Sequence, residues 1–238
     1  MKVIILAGGL GTRISEETSD KPKPMVLLDD KPILWHVMNI FAKQGFNDFV
    51  IATGYRSDVI HQWVQDLKSP WSIKALDTGL NTQTGGRLKQ CIDYIGEPTA
   101  LATYGDGLGN INLAELLAIH KMQGKLATVT AVRPPARFGV LETSNGIVTH
   151  FGEKNQAHSG WINGGFFVLE KSVCKYIDGI LEPFETGALP RLVDDFQLAA
   201  YHHEGFWQPM DTLREKNDLV KMLESRKPPW LDIGEIKQ

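Results

Sequence analysis

Residues 3–13 read VIILAGGLGTR, and this stretch decides the fold. Val3 to Ala7 is a short apolar, β-branched run that reads as a strand. It ends in Gly8, Gly9 and Gly11, followed by Thr12 and Arg13. Small residues at the carboxyl end of a parallel strand sit where open α/β sheets bind ligands. Glycines there let backbone N–H groups approach phosphate oxygens with no side chain in the way. Taken alone, the same glycines could serve only a tight turn.

Outward from this loop the pattern alternates helix and strand, which predicts a largely parallel sheet with helices on its faces. Ile33, Leu34, Val37, Met38 and Phe41 recur at helical spacing between Pro32 and Gln44, with Gly45 as the stop. A strand follows at Phe49 to Thr53, then a helix capped by Ser57 with Ile60, Trp63 and Val64 on one stripe. Ile73 to Leu76 is the next strand, Leu88, Ile92 and Ile95 mark a helix, and Thr99 to Tyr104 is a further strand. It runs into Gly105, Asp106 and Gly107, after which Asn112 caps a helix to about Gln123 and Leu126 to Val132 returns as a strand.

Beyond Pro134 the elements shorten, predicting a subdomain that continues the sheet. Its strands are Phe138 to Glu142, Ile147 to Phe151, Trp161 to Leu169 and Gln197 to His202, with helices near Lys171 to Ile177 and Leu189 to Asp194. Thr212 and Glu215 form a capping box for a last helix, which Trp207 is expected to pack, and the Pro228, Pro229 tail reads as loosely held. The predicted organisation is one domain in three stretches: residues 1–133, 134–211, and 212–238 as a terminal helix and tail.

Composition narrows the function classes. With 238 residues, 42% of them hydrophobic and 22% charged, the chain can bury a sizeable core, which excludes disordered and coiled-coil readings. Its 25 Lys+Arg against 28 Asp+Glu give a net charge of -3 with no long like-charge run, which argues against a nucleic-acid coat or a polybasic membrane tail. An anionic substrate would need a local cluster of cations. No stretch has the apolar length of a transmembrane helix, and the apolar part of Met1 to Ala7 is too short for a signal peptide, so the sequence predicts a cytoplasmic protein. Cys91 and Cys174 lack partners at metal spacing and read as plain thiols, and His202 and His203 as ordinary strand residues.

The glycine loop matches neither common fingerprint. No third glycine completes G-x-G-x-x-G, and no Gly-Lys-Ser/Thr occurs, so a dinucleotide-binding Rossmann fold and a P-loop ATPase are both disfavoured. The loop leads instead into Arg13, then Lys21 and Lys23 alternating with Pro22 and Pro24, whose rings are expected to hold that segment extended. A guanidinium that grips two oxygens beside a lysine that neutralises a third suits a polyphosphate. Asp106, flanked by glycines at a strand end, is a candidate metal ligand.

The string GGLGTR followed by PKPM at 22–25 resembles the signature of the sugar-1-phosphate nucleotidylyltransferases. Further matches come in order: TGGR at Thr84 to Arg87, YGDG at Tyr104 to Gly107, RFGVLE at Arg137 to Glu142, FGEK at Phe151 to Lys154, INGGFFVL at Ile162 to Leu169 and GFWQPMDT at Gly205 to Thr212. The last two resemble most strongly the branch that acts on CTP and glucose 1-phosphate.

The resemblance implies an α/β fold with a Rossmann-like, three-layer, mostly parallel mixed sheet and a small sugar-binding subdomain. It implies Mg²⁺ as cofactor, held by Asp106 and Asp211, with an NTP and a sugar 1-phosphate as substrates. Arg13, Lys23 and Lys154 would be catalytic. The nucleotide would lie on Leu6, Ala7, Gly8, Gly9, Leu10, Gly11, Thr12, Arg13, Lys23, Thr82, Gly86, Arg87 and Gly105. The sugar phosphate would lie on Gly139, Glu153, Lys154 and Asn163. The resemblance also implies a possible homo-oligomer, but the region from Gly54 to Asp77, which in the family contributes to nucleotide contacts and subunit packing, is shorter here, which leaves the base and the oligomer open. The runner-up is the same chemistry with another NTP or another sugar 1-phosphate, and a non-catalytic sugar-nucleotide sensor on the same fold is the alternative of another class. A Rossmann oxidoreductase ranks behind both.

Overall fold

The computed structural model describes residues 1–134, 140–152, 160–224 and 227–232. The Val3–Leu6 strand lies at the middle of an eight-stranded sheet. It pairs in parallel with Asp48–Thr53 on one side and Thr99–Tyr104 on the other, and Ser72–Asp77 extends the parallel run beyond Asp48–Thr53. Phe167–Glu170 enters antiparallel between Thr99–Tyr104 and Ala127–Val132, and Leu198–His203 pairs in parallel with Ala127–Val132. The sheet is mixed and mostly parallel, as expected.

Alternation along the central strands divides the core into two layers. Val3, Ile5, Phe49, Ile51 and Leu101 face one way, against Leu34, Val37, Met38 and Phe41 of the Ile33–Ala42 helix. Ile4, Val50, Ala52, Ala100 and Ala102 face the other, against Leu88, Cys91 and Ile92 of the Thr84–Ile95 helix and the buried Val173, Phe184 and Leu192. All these side chains are essentially out of water. With helices on both faces, the open ends of the parallel strands are left as the place for a site. No helix of the described chain is long and apolar enough to cross a membrane.

Several local expectations are corrected. Ser57 is the first residue of its helix, not the cap; Arg56 takes the cap position in the left-handed region at φ 47° without a side-chain cap bond. The expected strand Trp161 to Leu169 is split into Ile162–Asn163 and Phe167–Glu170, because Gly165 (φ 74°) and Phe166 (φ 49°) turn the chain between them. The hairpin Val140–Ser144 and Ile147–Gly152 forms its own two-stranded sheet and does not continue the main one. The tail is anchored as far as Asp232: Trp230 is fully buried in a short turn at Pro229–Leu231, and Asn110 donates to the Asp232 carbonyl at 3.0 Å. The apolar bulk of an indole outweighed the two prolines that suggested a free end.

Asn112 does cap its helix, accepting from the Glu115 amide at 3.1 Å. The Thr212–Glu215 box forms reciprocally, with Glu215 Oε2 accepting from the Thr212 amide at 2.9 Å and Thr212 Oγ1 from the Glu215 amide at 3.3 Å.

Candidate active site

A cleft of about 820 Å³ opens at the carboxyl ends of Val3–Leu6 and Thr99–Tyr104. Its walls include Leu6 to Arg13 without a break, Lys23, Thr82, Arg87, Gly105, Asp106, Asn163 and Asp211. Most of the residues singled out in the sequence therefore meet in one place. Gly139, Glu153 and Lys154 lie outside the described residues.

The glycine loop is fixed from beneath by Arg87. This side chain is 4% exposed. Its guanidinium donates to the carbonyls of Thr53 at 2.7 Å, Gly8 at 3.0 Å and Leu80 at 3.3 Å, and to Thr78 Oγ1 at 2.5 Å. Burial lowers its pKa from the ordinary value, opposed chiefly by Asp77. A β-carbon on either Gly8 or Gly54 would collide with that guanidinium, so these two glycines are small because an arginine passes between them. Gly11 has a different reason: its φ of 65° places it in the left-handed region, from which it opens the turn Thr12–Ile14.

Arg87, expected among the nucleotide contacts, lines the cleft while four hydrogen bonds from its guanidinium go to the protein itself, so in this structure it holds the loop from beneath. Gly86 is not part of the cleft wall: a β-carbon there would lie 2.6 Å from the Ile180 backbone, which packs directly on the helix start.

Lys23 departs from the extended conformation expected of a Lys-Pro string. Pro22 is extended, but Lys23–Met25 closes a 3-10 turn that drives the lysine inward. Its ammonium donates to Asp106 Oδ2 and to Asp211 Oδ1, both at 2.6 Å. Burial pushes its pKa down, yet the two carboxylates outweigh that and hold it above the usual 10.5. Arg13, largely exposed, donates to the other oxygen of Asp211 at 2.7 Å.

A two-stranded ribbon that the sequence hid brings these acids together. Gly107–Gly109 pairs antiparallel with Trp207–Pro209, with Pro209 opposite Gly107. Asp106 precedes the first strand and Asp211 follows the second, so the antiparallel register leaves them at the same end. The Met210 amide donates to the Asp106 carbonyl at 2.9 Å and locks that register. Sequence reading expects a helix capped by Asn112, and no strand, to follow Asp106; a three-residue strand intervenes, too short and glycine-rich to show periodicity. Asp211 is held further by its own amide, which donates to Glu215 Oε2 at 2.8 Å.

The two acid oxygens can be no farther apart than twice 2.6 Å, since both touch one nitrogen. Opposed ligands of Mg²⁺ stand about 4.2 Å apart at metal–oxygen distances of about 2.1 Å. The pair therefore fits an ion with a small adjustment, at the point where an ammonium now shows that a cation is favoured. Among the described residues no third His, Cys, Asp or Glu joins them. That suits Mg²⁺, which keeps several waters and takes further oxygens from substrate phosphates.

Glu185, Tyr104 and Trp207, none of them expected at the site, also line the cleft. Glu185 accepts from Tyr104 Oη and from Thr84 Oγ1, each at 2.6 Å, and Asn163 Nδ2 donates to Tyr104 Oη at 3.1 Å. Trp207 shares a core cluster with Leu219 of the last helix, as expected, but it also forms part of the wall, where its Nε1 donates to the Gly164 carbonyl at 2.8 Å. Tyr104 stood in a matched motif, whereas nothing near Glu185 in the sequence marks it. Residues 55–77 contribute nothing to the wall.

Comparison with known proteins adds to this geometry. A family model described as nucleotidyl transferase matches residues 2–238. A glucose-1-phosphate cytidylyltransferase of Salmonella typhimurium is 43% identical over 253 aligned residues, covering 97% of this chain and 98% of that one. A probable glucose-1-phosphate cytidylyltransferase of Bacillus subtilis is 42% identical, covering 97% of this chain and 99% of its own. Among solved structures, HddC from Yersinia pseudotuberculosis complexed with GMP-PN has a TM-score of 0.73 at 23% identity, covering 93% and 99% of the two chains; this likeness concerns the fold.

Proposed function

The chain belongs to the nucleotidyl transferase family, and on that premise we propose that it converts CTP and glucose 1-phosphate into CDP-glucose and pyrophosphate. The convergence of Asp106, Asp211, Lys23 and Arg13 beside a side-chain-free loop carries this reading. The choice of base and sugar rests on the relatives at 42–43% identity.

In the reaction an ionised oxygen of the sugar phosphate attacks the α-phosphorus of CTP in line. The bond from that phosphorus to the bridging oxygen breaks, and pyrophosphate leaves with the electron pair. No side-chain nucleophile is needed, because the attacking group is already an anion. The obstacle is repulsion between two phosphates, and positioning with charge stabilisation removes it.

The backbone from Leu6 to Gly11 would hold the nucleotide, on a loop that Arg87 keeps rigid. Arg13, exposed at the cleft mouth, would turn from Asp211 to the triphosphate and the departing pyrophosphate. Lys23, released from the acids, would do the same deeper in the cleft. Asp106 and Asp211 would hold Mg²⁺, which when bound supplies a compact positive charge between the phosphates. By family resemblance Lys154 would orient the acceptor phosphate, with Glu153 and Gly139 beside the hexose.

Pyrophosphate release measured with each of the four NTPs crossed with a panel of sugar 1-phosphates tests the proposal. CTP with glucose 1-phosphate is expected to be fastest. Faster release with another pair would move the substrate assignment, and release with no pair would favour a sensor.

A further inference from the structure

Glu185 stands in the cleft wall as a carboxylate whose two hydrogen bonds come from neutral hydroxyls, and no lysine, arginine or histidine pairs with it among the described residues. A carboxylate in a cleft meant for phosphates repels them, so it marks a part of the cleft where uncharged substrate atoms lie.

Its placement is built in. The Gln83 amide donates to the Ile180 carbonyl at 2.8 Å, the Gly85 amide to the Glu182 carbonyl at 3.1 Å, and the Phe184 amide to Thr84 Oγ1 at 2.8 Å. The absence of side chains at Gly85 and Gly86 lets residues 180–184 sit directly on the first turn of the Thr84–Ile95 helix. That contact delivers Glu185 to the cleft.

Hydrogen-bond polarity then fixes what the spot can take. The Gly165 amide donates to Asn163 Oδ1 at 2.9 Å, which settles the amide orientation and leaves Nδ2 as donor to Tyr104 Oη. The phenol proton must go to Glu185. Burial, together with the Glu185 charge, pushes the phenol pKa far up, so it stays a donor. What remains is one N–H of Asn163 and the unused lone pairs of the carboxylate. A donor and an acceptor joined through one phenol match a hydroxyl, which accepts from the first and donates to the second.

We propose that Glu185 is a specificity-determining residue that accepts a hydrogen bond from a hydroxyl of the hexose, with Asn163 donating to the same oxygen. The inference rests on the proposed reaction and adds a group that distinguishes one sugar 1-phosphate from another.

The test is steady-state kinetics of wild type and Glu185→Gln with glucose 1-phosphate, a set of singly deoxygenated glucose 1-phosphates, CTP, and 2'- and 3'-deoxy CTP. For wild type, kcat/KM is expected to fall by about 10- to 100-fold on one deoxy sugar, the size of a hydrogen bond to a charged acceptor. Glu185→Gln is expected to lose a similar factor on glucose 1-phosphate, mainly through its KM, and nothing further on that analogue, with KM for CTP unchanged. Discrimination lost against deoxy CTP instead would assign Glu185 to the ribose and overturn the proposal. Equal losses on every analogue, or none, would overturn it as well.

Thr84→Val, which keeps the carboxylate and removes one of its clamps, is expected to give a smaller loss on the same analogue, and serves if Glu185→Gln does not fold. An inactive wild type would sink the parent reaction and this inference together. An active wild type indifferent to every sugar deoxygenation would sink the inference alone.

Discussion

Asp106 and Asp211 accept from the same Lys23 ammonium, each at 2.6 Å, although one follows the Thr99–Tyr104 strand and the other precedes the last helix. The lysine stands where the proposed ion would sit and keeps the two acids from repelling one another. Its side chain is 9% exposed, so little water assists.

Lys23→Met keeps the stem and removes the charge. Asp211 then keeps Arg13 while Asp106 loses its cation, and without metal the variant is expected to lose about 1–3 kcal/mol of stability, less than for a fully buried pair because Asp106 is partly exposed. Millimolar Mg²⁺ should raise its melting temperature more than that of wild type, since a ligand binding only the folded state stabilises it by mass action. Equal shifts in the two proteins would mean that the lysine and the ion do not compete for one place.

Arg87→Met should destabilise the protein by about 3–5 kcal/mol, because several buried carbonyls lose their donor at once. Arg87→Lys keeps the charge without the fork and should recover only part of this. Both should raise KM for CTP through a loosened Gly8 loop; an unchanged KM for CTP with reduced stability would confine Arg87 to the core.

Much of the fold was legible because hydrophobic periodicity is strong where elements are buried. The runs at Val3 to Ala7, Ile33 to Phe41 and Thr99 to Tyr104 all lie in or against the central sheet. What escaped depends on contacts distant in sequence. The Gly107–Gly109 strand has no pattern of its own and exists because Trp207–Pro209 pairs with it. Arg87 reads as a nucleotide contact by resemblance, and nothing in the sequence shows that it holds the Gly8, Thr53 and Leu80 carbonyls. Glu185 lies in a segment with no motif, and only its packing on Gly85 and Gly86 gives it a place in the cleft. Family resemblance pairs Asp106 with Asp211, which the structure brings together, but gives no sign of the lysine between them.

Trp230→Ala should cost about 3–5 kcal/mol, the penalty for emptying a fully buried aromatic site. Chemical denaturation with an intact far-UV spectrum measures it. A loss under about 1 kcal/mol would show that the Pro229–Leu231 turn is dispensable.

His36 is buried edge-on to Trp35 and Trp230, and burial lowers its pKa below the ordinary 6.5, outweighing the Leu28 backbone and the Asp29 and Asp30 charges. His203 is lowered by burial too. Below pH 6.5 the unfolded chain binds protons that the folded one refuses, so stability should fall as pH drops, by up to about 1.4 kcal/mol per pH unit for each histidine. His36→Phe should flatten that slope by about half. A slope indifferent to His36→Phe would show that this ring accepts its proton in the fold.

The shared cation is tested most directly by Mn²⁺, as a spectroscopic stand-in for Mg²⁺, titrated in the presence of CTP and followed by electron paramagnetic resonance in wild type, Asp106→Asn and Asp211→Asn. Wild type is expected to hold the ion with CTP more tightly than CTP alone does, with a changed spectrum. Each variant should weaken that site by at least about 10-fold, as loss of a charged ligand implies. Unaltered Mn²⁺ binding in either variant, with the fold intact, would contradict the account.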